Sequence, residues 1–130
     1  MPFDLAEKFV VAAEHALGAA LPDEYKAAMQ LSNGGELEAN GDEWALHPIA
    51  DTSDRKRLAR TSNHILAESR ACQGWRGFPE NALAIASNSA GDRLIFLKKG
   101  AAFDATVYAW SHETGELEVA AESFKKLRSA

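Results

Sequence analysis

A chain of 130 residues with 46% hydrophobic and 25% charged residues has room for one core and the make-up of an ordinary globular protein, which excludes a disordered or fibrous chain. No stretch approaches the ~18 uninterrupted apolar residues of a bilayer span, Met1-Pro2-Phe3-Asp4 lacks the basic and apolar regions of a secretory signal, and Cys72 as the single cysteine forbids an internal disulfide, so a cytoplasmic protein is expected. The net charge of −5 is uneven: residues 1–50 carry nine acids against two bases, residues 51–80 six bases against four acids, and residues 81–130 six of each, and so acidic a first third disfavours nucleic acid as the ligand.

From Phe3 to Leu17 the apolar residues Leu5, Phe9, Ala13, Ala16 and Leu17 recur at helical spacing, and Gly18 supplies a left-handed stop. A second helix is predicted from Pro22 to Ser32, started by Pro22 with Asp23 and Glu24 in its first turn, burying Tyr25, Ala28 and Met29, and ended by Asn33-Gly34-Gly35. Residues 36–39 and 43–47 then flank Asn40-Gly41-Asp42 as a hairpin, with Trp44 and Leu46 on one face and Ala45 and His47 on the wet one. Asp51-Thr52-Ser53 offers caps for one long third helix carrying Arg55-Lys56-Arg57 and Arg60, in which Leu58, Ile65, Leu66, Ser69 and Cys72 share a face. Gly74-Trp75-Arg76-Gly77-Phe78-Pro79 reads as a loop folded back on the core, with Trp44 and Trp75 at the core or its edge. Strands are predicted at 83–86, 93–97, 107–110 and 116–120, and a short helix at 123–127 with Phe124 and Leu127 inward. Connections this short suit antiparallel neighbours. The expected fold class is therefore α+β: one domain over 1–130, a mainly antiparallel sheet with the N-terminal helices and a central helix on or beside it.

The order of these motifs resembles the SUKH superfamily, the group of the fungal SMI/KNR-type cell-wall assembly regulators. The residues concerned are Leu17-Gly18, Leu21-Pro22-Asp23-Glu24-Tyr25-Lys26, Asn33-Gly34-Gly35, Phe78-Pro79, Ile85-Ala86, Gly91-Asp92, Val107-Tyr108-Ala109-Trp110 with His112-Glu113, and Ser123-Phe124. The resemblance spans nearly the whole chain. It departs from the family pattern at Arg93, at Lys98-Lys99 and in the short C-terminal helix. It implies an α+β binding domain without a catalytic set: in bacteria an immunity protein that neutralises polymorphic toxins, often nucleases, and in eukaryotes a regulatory interaction module.

The side chains themselves give little support to catalysis. His15, His47, His64 and His112 form no pair at metal-ligand spacing, and residues 87–92 lack the Gly-Lys-Ser/Thr ending of a phosphate loop and lead into a strand. Neither metal nor organic cofactor is expected. Cys72 reads as a small buried hydrophobe rather than a nucleophile. Asp92, beside Gly91, either accepts hydrogen bonds from loop amides or faces a groove, and His112 tops a turn where it could meet a partner; a hydrolase built on these two is the weakest reading. The function expected is that of an immunity protein that binds a basic toxin domain directly, with a regulatory or scaffold module without a toxin target as the alternative. The residues expected to meet the partner are Asp23, Glu24, Glu36, Glu38, Asp42, Glu43, Asp92 and His112, with neither nucleic acid nor membrane as a ligand.

Overall fold

The computed structural model describes residues 2–129. The N-terminal segment is extended up to Ala6, and helix α1 runs only over Glu7–Leu17. Phe3 and Leu5 are held out of the helix by backbone bonds to the end of the next one: Asn33 N–H donates to Phe3 O (2.7 Å) and Leu5 N–H to Gln30 O (3.0 Å). Within α1, Val10 and Ala13 are fully buried, Phe9 is half-buried and Ala16 is exposed. Gly18 ends the helix at φ 68°, and the Lys98 ammonium caps Leu17 O at 3.2 Å, where a cation suits the negative end of the dipole. Helix α2, Asp23–Leu31, follows Pro22 as expected and buries Tyr25 and Met29.

Strands β1 (Gly35–Ala39) and β2 (Asp42–Leu46) form the expected hairpin. Its two-residue turn puts both Asn40 (φ 51°) and Gly41 (φ 74°) in the left-handed region, the geometry that matches strand twist. The single long helix expected next is instead two, α3 (Arg55–Arg60) and α4 (Ile65–Cys72). Each has its own cap, Asp54 accepting from Arg57 N–H and His64 from Ala67 N–H. Between them Thr61 Oγ1 donates back to Arg57 O (2.9 Å) and accepts from Asp51 N–H (3.0 Å), which turns the chain. Leu58, expected inward, is therefore 53% exposed, whereas Ile65, Ser69 and Cys72 are buried.

The remaining strands are β3 (Ala82–Ser87), β4 (Arg93–Lys99), β5 (Ala102–Phe103), β6 (Val107–Trp110), β7 (Leu117–Ala121) and β8 (Arg128–Ser129). They join the hairpin in one sheet of order β7-β6-β4-β3-β2-β1-β8, with β5 added to β4, and every strand pair is antiparallel. The C-terminal helix expected over 123–127 is a single 3-10 turn, Phe124–Lys126, with Phe124 buried and Leu127 half-buried; the chain then straightens to pair with β1.

Alternation along the strands builds a core on each face. Leu37, Trp44, Leu83, Leu94, Phe96 and Val107 meet Val10, Ala13, Tyr25 and Met29 on one side. Ala82, Ala84, Ile95 and Trp110 meet Cys72 and Phe78 on the other, with Tyr108 packed at the margin. That second layer explains His47, expected on a wet face but only 2% exposed: α4 covers the end of β2, and the imidazole lies 3.5 Å from Glu68 and 3.3 Å from Ser87 Oγ and from Ala84 O. Burial lowers its pKa below the usual histidine value and favours the neutral ring. No helix is long and apolar enough to cross a membrane among the described residues.

Candidate partner-binding face

Strand parity sorts the acids. On β1, Leu37 and Ala39 point into the helix-covered core, so Glu36 and Glu38 project from the opposite face; on β2, Trp44 is inward and Glu43 and Ala45 outward. The register sets Glu36 against Ala45 and Glu38 against Glu43, and all four are exposed. The same row continues from Ala45 to Ser87, then to Arg93, Trp110 and Leu117. Helix α4 and the loop 74–79 cover the middle of this face. The β1–β2 flank stays open as an acidic face, and a groove of about 480 Å³ lined by Glu36, Asp42, Glu43, Ala45, Ser87 and Asn88 runs beside it. Two carboxylates directly opposed across strands, as Glu38 and Glu43 are, repel one another. On its other side Glu38 is in register with Arg128 of β8.

A polar network closes the end of the sheet. Asp42 caps its own turn, Oδ1 accepting from Glu43 N–H (2.9 Å), and Oδ2 accepts from Asn88 Nδ2 at 2.8 Å. Asn88 also donates to Asp92 Oδ2 (3.3 Å), and its Oδ1 accepts from the backbone of Ala90 and Asp92. Asp92 Oδ1 in turn accepts from the backbone N–H of His112 (3.1 Å) and from its ring Nδ1 (2.7 Å). Although partial burial opposes it, these bonds from His112 and Asn88 hold the Asp92 carboxyl below the usual aspartate range. Both alternatives for Asp92 thus find a place: it accepts a loop amide, and it lines a groove with Asp42 and Asn88. The ring of His112 supplies the rest.

The expected residues therefore divide. Glu36, Glu38, Asp42, Glu43, Asp92 and His112 lie along the open flank and end of the sheet. Asp23 and Glu24 belong to α2, which packs on the opposite sheet face; Asp23 pairs with Lys26 (3.4 Å) and Glu24 accepts from Lys125 N–H (3.1 Å), fastening the 3-10 turn to the helix.

The basic run of α3 is committed to structure in part: Arg57 bridges Asp51 and Asp4, each at 3.1 Å, and the Arg57 and Arg60 guanidiniums lie over the Phe3 ring. Burial raises the Cys72 thiol pKa, which disfavours the thiolate form. Trp44 is core, but Trp75 is 39% exposed, stacked on Trp110 with the Arg93 guanidinium 4.8 Å from its ring, beside Arg76 and His112. Its exposure follows from a loop fastened at Gly77, whose carbonyl accepts from Trp110 Nε1 (3.0 Å), a long-range contact with no local sequence signal.

Compared with known proteins, the chain matches the family model described as SMI1 / KNR4 family (SUKH-1) over residues 5–129. No curated protein matches it.

Proposed function

The chain belongs to the SMI1 / KNR4 family (SUKH-1), and from that premise we propose that it is a cytoplasmic immunity protein that neutralises a basic toxin domain by binding it, without catalysing a reaction. The observation that carries this is the open β1–β2 flank, where Glu36, Glu38 and Glu43 share one sheet face and two of them oppose each other across strands. Such an arrangement costs stability in the free protein, and a cationic surface laid against it relieves the repulsion. Complementary charge of this kind speeds encounter and fixes register, and covering the active site of a nuclease, itself basic to hold phosphates, would inhibit it.

Asp92 and His112 fit the same role better than a hydrolytic one. A catalytic imidazole activates a nucleophile, either a side chain or a water, from its second nitrogen. Among the described residues His112 is bonded to Asp92 alone, through its ring and through its own backbone, which makes the pair a latch between the β3–β4 and β6–β7 turns.

The proposal expects a toxin domain to be encoded beside the gene for this chain, and the test is co-expression with it. Protected growth and a stoichiometric complex are expected, and joint replacement of Glu36, Glu38 and Glu43 by lysine should weaken protection. The absence of such a toxin, or protection untouched by the triple change, would contradict the proposal.

A further inference from the structure

Strand β7 ends the strand order, and its outer edge is paired with no other strand among the described residues. Its register with β6 is Tyr108–Val119, Ala109–Glu118 and Trp110–Leu117, continuing from Ser111 N–H, which donates to Glu116 O at 3.0 Å. Bonded and non-bonded pairs alternate in an antiparallel ladder. With Ser111–Glu116 bonded, Ala109–Glu118 is bonded too, and Leu117 and Val119 turn their N–H and C=O groups away from β6 to the open edge. Their side chains, 41% and 56% exposed, lie on the face of Trp110 and Tyr108. Glu116 and Glu118 alternate with them and are exposed, and neither has a salt bridge among the described residues; Glu122 pairs with Lys126.

We propose that the β7 edge accepts an extended segment of a protein partner as an added strand, one that alternates apolar residues with lysine or arginine. Main-chain bonds to Leu117 and Val119 would supply affinity. Cross-strand neighbours share a face, so the partner's apolar residues would lie beside Leu117 and Val119 and its cations beside Glu116 and Glu118. The alternation of the segment follows from the alternation of β7. A second copy of this chain fits poorly, because two β7 strands paired about Glu118 would set that carboxylate against its twin. The far edge, β8, is only two residues long. The inference rests on the chain being a binder of basic proteins, but it names a site at the opposite end of the strand order from Glu36 and needs no toxin to test.

The probe is a synthetic end-blocked peptide alternating lysine and valine, titrated into the labelled protein while amide exchange is followed. Slowed exchange at Leu117 and Val119 is expected, with affinity falling about tenfold or more when every second peptide nitrogen is methylated or when glutamate replaces lysine. Joint replacement Glu116→Lys and Glu118→Lys should weaken binding similarly at low salt while leaving the urea midpoint in place. No binding, protection centred on β1 and β2, indifference to N-methylation, or β7 protection that grows with protein concentration alone would overturn the proposal.

Discussion

Asn33 shows how one side chain can hold two layers of the fold together. Its Nδ2 donates to Ile49 O and its Oδ1 accepts from Ile49 N–H, both at 2.8 Å and both buried, so the end of α2 is joined to the segment that leaves β2. Replacing it with alanine strands a backbone donor and acceptor, and a loss of about 2–4 kcal/mol in chemical unfolding is expected. Asp51 makes a parallel case in charge. Burial opposes its ionisation, yet hydrogen bonds from Ser53 and the ion pair with Arg57 outweigh that and hold its pKa below the usual aspartate value. A carboxyl depressed in the folded state contributes stability above its unfolded pKa, near 4, and loses that contribution as pH falls through the folded value. Asp51→Asn should therefore flatten the fall of unfolding free energy with pH below about pH 4; an unchanged slope would show that the pair does not govern acid stability. Asn33-Gly34-Gly35 reads as a breaker in the sequence, but the bond to Ile49 spans 16 positions and leaves no local signal.

At the scale of elements, what was legible follows from periodicity and punctuation. Pro22, Gly18 and Asn40-Gly41 place their boundaries within a residue or so, because each acts through its own backbone. The split of the central helix was not legible: Ile65, Ser69 and Cys72 continue one face, and only Thr61, bonded to Arg57 and Asp51, reveals the turn. Strand β5 turns back tightly on the adjoining end of β4 and is bridged by the distant Ala20, and the 3-10 turn is fastened by the equally distant Glu24. The loop carrying Trp75 is fastened where Gly77 (φ 83°) and Gly115 (φ 75°) touch, a Cβ on Gly77 meeting Gly115 Cα at 3.1 Å. Gly77→Ala strains both the backbone and that contact, so a loss of about 1–3 kcal/mol is expected. Tryptophan fluorescence should change as Trp75 leaves Trp110. A midpoint within a few tenths of a kcal/mol of the parent would show that the loop is not held there.

For the molecule as a whole, charge asymmetry was legible but its placement was not. The sequence assigns the acids to the first third of the chain; pleat and register divide them, putting Glu36, Glu38 and Glu43 on an open face while Asp23 and Glu24 stay with α2. Arg57 is taken up by Asp51 and Asp4, so it is no fair control for surface charge, whereas Arg55, Lys56 and Arg70 are exposed. The most direct measurement is the association rate with the basic toxin domain that the proposal requires, at low and high salt, for the parent and for two triple variants. Lysine at Glu36, Glu38 and Glu43 should slow association about tenfold or more at low salt, far less at high salt, with the unfolding midpoint nearly unchanged, because exposed carboxylates steer encounter more than they stabilise a fold. Glutamate at Arg55, Lys56 and Arg70 should leave the rate within about twofold or raise it. Equal losses from the two sets, or no loss from the acidic set, would contradict docking on the β1–β2 face.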